Sequence, residues 1–226
     1  MHRQRGSSGL VILALLVSGA LAVWAWLQVG QKSAPLAERV DVPPLVMQFP
    51  PQPVAFPDVS LTSSDGGTLD AGSLQGNWTL MYFGYTHCPD VCPVELSALA
   101  NFAHLLREDA AVERLPNMVF VSVDPQRDEL QEIGQFVDYF DPAITGATAA
   151  EPVLRDLAEP LGVGWEKTEV PGMDDSAGED AYLINHYSSF LLLDPEARLQ
   201  AVFPAPHDPA KMAGAYKKVV QARGES

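Results

Sequence analysis

Residues 78–93 read WTLMYFGYTHCPDVCP. The opening run, up to Phe83, is rich in aromatic and aliphatic residues and suits a buried strand that ends at Gly84. Cys88 and Cys92 follow at once, and the chain contains 2 cysteines in all. With no third cysteine, these thiols can pair with each other, with another molecule or with a metal ion. The stretch therefore places the chemistry of the protein in a loop directly after a buried strand.

The segment after Cys92 predicts a helix, because apolar residues recur at helical spacing between 93 and 107. Pro93 suits the first helical position, since a proline lacks the N–H that this position leaves unbonded. A residue before a proline disfavours the α conformation, so Cys92 is expected just outside the helix, where the helix dipole favours its thiolate. Helical residues four apart lie about 6 Å apart at Cα, so Cys88 and Cys92 could also form a disulfide.

Spacing excludes several kinds of site. Haem attachment uses Cys-x-x-Cys-His, which this pair does not match. A structural zinc site needs four ligands, and the chain has 2 cysteines. A binuclear copper centre needs a His and a Met at the positions held by Leu96 and Leu99. A purely structural disulfide stays open, although so small a loop would gain little stability from it.

Beyond this stretch, strand-like and helix-like segments alternate along the chain. The predicted elements are a turn at 64–67 joining two short strands, strands at 78–83 and 118–123, helices at 93–107, 128–140 and 152–161, a β-hairpin of 182–193 with 199–203, and a final helix at 208–221. The acidic stretch 166–180 is expected to be irregular. A cysteine pair between a buried strand and a helix predicts an α/β, thioredoxin-like fold, with a central sheet covered by helices.

The N-terminal part of the chain predicts a membrane anchor. Residues 1–8 contain two arginines and no acid, and residues 9–29 are uncharged and long enough to cross a bilayer. We expect a short cytoplasmic tail at 1–8, a single transmembrane helix at 9–29, a Pro-rich spacer at 30–55 and a thioredoxin-like domain at 56–226. This arrangement indicates a bacterial inner-membrane protein whose C-terminal domain lies in the periplasm. A cleaved signal peptide is the alternative, which the proline in a poor cleavage site disfavours.

Charge argues against nucleic-acid binding. All 29 acidic residues follow residue 32, whereas three of the 14 basic residues lie within residues 1–32. The predicted outer domain is therefore strongly acidic and would be repelled by phosphates.

Four motifs together resemble the Sco/SenC family. They are YFGYTHCPDVCP at 82–93, VSVDP at 121–125, Arg127 with Asp128, and Asn185 with His186. Members of that family are membrane-anchored, thioredoxin-like copper proteins that assist the assembly of cytochrome c oxidase.

The resemblance implies a copper site formed by Cys88, Cys92 and His186. Two thiolates and one imidazole independently suit Cu(I), which is soft and accepts few ligands. Cu(II) is a second oxidation state to test. Family members usually carry an aspartate before the histidine, and Asn185 replaces it here, which bears on metal affinity and on Cu(II) binding.

Two functions fit this site. The first is a copper metallochaperone that serves the copper-bearing subunit of cytochrome c oxidase and is loaded by a periplasmic copper donor. The second is a thiol–disulfide oxidoreductase that uses Cys88 and Cys92 as a redox pair, is re-reduced by a periplasmic thiol reductant, and reduces the oxidase cysteines. Reductases of the thioredoxin type need no distant histidine, so His186 discriminates between the two. A copper or redox sensor is a third possibility.

Other residues are weaker candidates. His87, His207 and Met173 are secondary ligand candidates, and His104 falls within a predicted helix. Since 166–180 precedes His186, we expect this segment to act as a mobile flap that brings the histidine to the cysteines. Two aspartates have expected supporting roles: Asp90 at the helix N-terminus, and Asp124 as a cap of the turn after its strand.

Overall fold

The computed structural model describes residues 36–169 and 182–224. Its helices are α1 Leu36–Arg39, α2 Val91–Glu108, α3 Leu130–Phe140, α4 Glu151–Ala158 and α5 Pro209–Arg223. Its strands are β1 Val54–Ala55, β2 Leu61–Ser63, β3 Thr68–Leu69, β4 Thr79–Gly84, β5 Asn117–Ser122, β6 Ile144–Thr148, β7 Trp165–Glu169, β8 Tyr182–His186, β9 Ser189–Leu193 and β10 Arg198–Pro204.

Eight of these strands form one sheet in the order β1-β10-β9-β4-β5-β6-β2-β3. β4, β5 and β6 run parallel, and β9 pairs antiparallel with β4. Every residue of β4 and β9 is buried, so both faces of the sheet are covered at its centre. The succession β4-α2-β5 followed by β9-β10-α5 gives the thioredoxin-like arrangement that the sequence predicts.

The elements around the cysteines agree with prediction. β4, α2 and β5 match their expected segments within two residues at each end, and the β9–β10 hairpin and α5 are present. β6 was not predicted, because its sequence, Ile-Thr-Gly-Ala-Thr, has neither strong hydrophobicity nor alternation. Gly146 in its middle is required by packing, since a Cβ there would lie 2.4 Å from Ile133 Cγ2 of α3.

The predicted hairpin strand 182–193 is two strands. β8 pairs with β7 in a separate two-stranded sheet, and β9 belongs to the large sheet. The break falls at Tyr187 and Ser188, where the backbone leaves one sheet for the other. The prediction of an irregular 166–180 is therefore wrong for residues 166–169, which lie in β7, and the rest of that segment lies outside the described residues.

Residues 30–55 were predicted to be a Pro-rich spacer, but their described part, 36–55, contacts the folded domain. Met47 is buried in the core, Gln48 forms an antiparallel bridge with Val202, and β1 pairs with β10. Apolar side chains therefore bind this segment to the domain despite its prolines, and the folded unit begins before residue 56.

No helix within 36–169 or 182–224 is long and apolar enough to cross a bilayer. The predicted anchor at 9–29 lies outside these ranges.

Met47 tests the docking of this N-terminal segment. We expect Met47→Ala to lower the free energy of unfolding by about 2–5 kcal/mol, because a side chain that is 1% exposed leaves a cavity when it is removed. Leu45→Ala is the matched control, since Leu45 is 84% exposed and its removal should change stability by no more than about 0.5 kcal/mol. Urea denaturation measures both. Equal stability of the two variants would show that the segment does not pack on the domain.

Candidate metal centre

Cys88, Cys92 and His186 meet at one point. Their candidate ligand atoms all lie within 4.8 Å of one another, and Cys92 Sγ is 3.3 Å from His186 Nε2. Cys92 is completely buried and Cys88 is 9% exposed, while His186 is half-buried. Both cysteines are free thiols. The described chain thus brings together the three residues that the sequence analysis named.

The start of α2 positions the two sulfurs. The helix begins at Val91 and not at Pro93 as predicted, so Cys92 lies within its first turn. Pro93 is tolerated there because the N–H groups of a first helical turn have no partner within the helix. The Cys92 N–H instead donates to Cys88 Sγ at 3.4 Å, and the Cys88 N–H donates to the carbonyl of Tyr85 at 3.3 Å. Backbone hydrogen bonds therefore fix both cysteines.

Gly84, the last residue of β4, leaves room for the buried sulfur. A Cβ at this position would lie 2.8 Å from Cys92 Sγ and 2.8 Å from Phe120 Cε2. Both distances are far below van der Waals contact, so a larger residue would displace the sulfur or the ring. The hydroxyl of Tyr82 is a further neighbour of this sulfur, with Tyr82 Oη 3.9 Å from Cys92 Sγ.

His186 is the last residue of β8 and is surrounded by aromatic rings. Tyr82 and Tyr85 meet its imidazole edge to face, with centroid distances of 5.8 Å and 6.0 Å. Its Nδ1 is buried and has no hydrogen-bond partner among the described residues. Ring packing, and not a hydrogen bond to Nδ1, therefore turns Nε2 toward Cys92.

The two thiols have opposite electrostatic environments. The Cys92 side chain and the backbone N–H of Cys92 donate hydrogen bonds to Cys88, and these contacts lower the pKa of Cys88 well below the usual thiol value despite its burial. The same contact to Cys88, together with burial, raises the pKa of Cys92. These opposite shifts favour ionisation of Cys88 before Cys92, and a thiolate beside a thiol suits both metal capture and disulfide exchange.

A buried carboxylate that the sequence analysis did not assign supports the cysteine loop. Asp128 accepts hydrogen bonds from the Thr86 N–H at 2.8 Å, from the Thr86 hydroxyl at 2.6 Å and from the Ser122 hydroxyl at 2.5 Å. His87 Nδ1 lies 3.1 Å from the same carboxylate. His87 is therefore engaged by Asp128 and does not belong to the cysteine–histidine cluster. The Arg127-Asp128 motif was the feature of the sequence that could have drawn attention to Asp128.

The remaining candidates lie elsewhere. His104 is 63% exposed and pairs with Glu108, whereas His207 is buried against Glu95. Asp90 is the N-cap residue of α2, at the helix N-terminus where it was expected, and its side chain makes no capping hydrogen bond within the described structure. Met173 lies outside the described residues.

Asn185 points away from the cluster. Its side-chain amide donates to Thr168 Oγ1 on β7 at 3.0 Å, and the residue is exposed. Alternation along β8 accounts for this, because neighbouring residues of a strand face opposite sides. The Asn185 side chain therefore lies on the face of β8 opposite to His186, and its hydrogen bond is to β7.

Comparison with known proteins agrees with this site. Residues 52–221 match the family described as SCO1/SenC. The chain belongs to the SCO1/SenC family. The predicted resemblance is thereby confirmed over about three quarters of the sequence.

Individual relatives support the same conclusion. The chain is 34% identical over 165 residues to the Arabidopsis thaliana protein SCO1 homolog 1, mitochondrial, a match that covers 73% of this chain and 47% of that protein. The chain thus spans about half the length of this relative. The copper-bound crystal structure of Arabidopsis thaliana ScoI is 33% identical, with a TM-score of 0.64 over 74% of this chain and 99% of that one. Copper-bound ScoI of Bradyrhizobium japonicum is 28% identical, with a TM-score of 0.61 over 74% and 99%. The predicted α/β fold is confirmed by these structures.

Gly84 provides a test of the close packing around Cys92. We expect Gly84→Ala to lower the free energy of unfolding by about 1–3 kcal/mol through overpacking. Gly214→Ala in α5 is the matched control, because a Cβ there meets no atom of the described chain within 4 Å. The control should be neutral or should stabilise the helix by up to about 1 kcal/mol. Urea denaturation measures the free energy of unfolding of both variants, and an equal change in the two would contradict the observed packing.

Proposed function

We propose that this protein is a copper metallochaperone that binds Cu(I) through Cys88, Cys92 and His186 and delivers it during cytochrome c oxidase assembly. The observation that carries the proposal is the convergence of two sulfurs and one imidazole nitrogen within 4.8 Å. Sulfur and imidazole donors select soft or borderline ions, and Cu(I) is content with two or three such ligands.

The exposure of the three ligands suits a metal that is cargo. Cys92 is completely buried, whereas Cys88 and His186 retain access to solvent. A partner's ligands could therefore approach from the side of Cys88 and His186 while Cys92 stays in the core. Metal ligation requires deprotonated thiols, so binding would displace the proton held by Cys92.

The relatives support copper and the oxidase context. Two solved relatives are copper-bound ScoI proteins. BsSco is a member of the Sco family of cytochrome c oxidase assembly proteins. We infer that the partner of this chain is the copper-bearing oxidase subunit, with a periplasmic copper donor or thiol reductant upstream. The inner-membrane anchor at 9–29 and the periplasmic position of the domain stay predictions, which fractionation of cells expressing the full chain would test.

Anaerobic Cu(I) titration against a competing chelator tests the site. The reduced full chain should bind one Cu(I), and Cys88→Ala and Cys92→Ala should each abolish tight binding. We expect His186→Ala to weaken affinity by more than about tenfold, since losing even an outer partner of a metal ligand costs that much.

His104→Ala is the matched control, because His104 is 63% exposed and lies outside the cluster. Its copper affinity should equal that of the unmodified chain. Unchanged affinity in His186→Ala, or equal losses in both histidine variants, would contradict the three-ligand site.

The second candidate function, thiol–disulfide reduction, is favoured by the free thiols and by the lowered pKa of Cys88. In this reaction the Cys88 thiolate attacks a target disulfide and releases one target thiol. Cys92 then displaces the second target thiol, which leaves a Cys88–Cys92 disulfide and a reduced target. An external thiol reductant must restore the pair.

The same histidine variant separates the two functions. We expect His186→Ala to keep reducing a small-molecule disulfide in the presence of a thiol reductant, because both sulfurs remain. Its copper affinity should fall at the same time. Loss of reduction with copper affinity retained would make the reductase the better assignment.

A further inference from the structure

β8 carries His186 but does not belong to the large sheet. Within residues 36–169 and 182–224 it pairs with β7 alone, in a two-stranded sheet. An isolated two-stranded sheet is marginally stable in water. Contacts other than sheet pairing must therefore hold His186 near the cysteines.

The first such contact is at the start of β8. Tyr182 donates its hydroxyl hydrogen to Asp124 Oδ1 at 2.6 Å, and Asp124 is completely buried. Arg127 bonds the other carboxylate oxygen through Nε at 2.5 Å and donates from Nη1 to the Tyr182 carbonyl at 3.0 Å. The guanidinium also stacks on the Tyr182 ring, 3.7 Å from its centroid. Asp124 and Arg127 thus clamp both the side chain and the backbone of Tyr182.

The second contact is in the middle of β8. The Ile184 N–H donates to the hydroxyl of Tyr85 at 3.2 Å. Tyr85 also accepts the Cys88 N–H at its carbonyl, and its ring meets the His186 imidazole. One buried tyrosine therefore joins the cysteine loop to the strand that bears the histidine.

Alternation along the strand connects these contacts to the ligand. Tyr182, Ile184 and His186 are all at least half-buried, whereas Leu183 and Asn185 are exposed. The three inward residues share one face, since side chains of a strand alternate with a period of two. Fixing Tyr182 and Ile184 consequently fixes the register and the depth of His186.

We propose that Tyr85, Asp124 and Arg127 are positioning residues that dock β8 against the cysteine loop and so set the distance from His186 Nε2 to Cys92 Sγ. The sequence predicts that Asp124 caps the turn after its strand, whereas in the structure its carboxylate accepts hydrogen bonds from Arg127 Nε and from the Tyr182 hydroxyl. The inference deepens the proposed copper site and rests on it for the affinity measurement, but the position of His186 can be measured without metal.

Two variants that each remove one oxygen atom test the proposal. They are Tyr182→Phe, which breaks the bond to Asp124, and Tyr85→Phe, which removes the acceptor of the Ile184 N–H. Tyr139→Phe is the matched control, because Tyr139 lies in α3 and is 85% exposed. Circular dichroism establishes that each variant is folded.

The metal-free readout is NMR of the reduced full chain. Nuclear Overhauser contacts between the His186 and Tyr82 rings are expected in the unmodified protein, since their centroids are 5.8 Å apart. These contacts should weaken in Tyr182→Phe and Tyr85→Phe and persist in Tyr139→Phe. Unchanged contacts in both test variants would overturn the proposal.

The metal readout is Cu(I) affinity in a double-mutant cycle. Tyr182→Phe and Tyr85→Phe should each weaken binding by about tenfold, as is usual for groups that orient a metal ligand. In a His186→Ala background neither should have a further effect, because the residue that they position is missing. Equal losses with and without His186 would show a general structural role and contradict positioning.

Failure of the proposed function is distinguishable from failure of this inference. If His186→Ala leaves Cu(I) affinity unchanged, the three-ligand copper site is wrong. The ring contacts measured without metal then still decide whether Tyr85 and Tyr182 hold His186 in place.

Discussion

The close contact between the Cys92 sulfur and the backbone of Gly84 is the constraint on which the rest of the centre depends. Because the sulfur fills the space that any side chain at position 84 would need, α2 must begin immediately beside the end of β4. Because the helix begins there, the Cys92 N–H donates a hydrogen bond to Cys88 Sγ, and this bond holds the Cys88 sulfur beside the Cys92 sulfur. The parallel core strand, the loop and the helix thus form one packed unit, and the thiol chemistry follows from its geometry.

His186 reaches this unit by a different route. It comes from a strand outside the large sheet, and the rings of Tyr82 and Tyr85 contact it directly. The buried ion pair of Asp124 and Arg127 holds the other end of that strand. The two cysteines are therefore fixed by backbone hydrogen bonds, whereas the histidine depends on side-chain contacts. This division suits a site in which two ligands stay in place while the third can be exchanged for a partner's ligand.

The sequence predicts the part of the structure that depends on local pattern. The apolar run before Gly84, the helical stripe after Pro93 and the paired thiols were sufficient to predict β4, the loop and α2. His186 was found through the family resemblance, because nothing local distinguishes it from the other histidines. The role of Asp128 and the contact of Tyr182 with Asp124 join residues that are far apart in sequence, so no periodicity could indicate them. β6 escaped prediction for a further reason, since the requirement for Gly146 comes from Ile133 on another element.

X-ray absorption at the copper K-edge of the Cu(I)-loaded, reduced chain tests the central claim most directly. The account predicts two sulfur ligands and one imidazole nitrogen per copper, with the nitrogen contribution lost in His186→Ala. A two-coordinate site with sulfur alone in the unmodified protein would contradict it, and would leave Cys88 and Cys92 as a dithiol without the histidine.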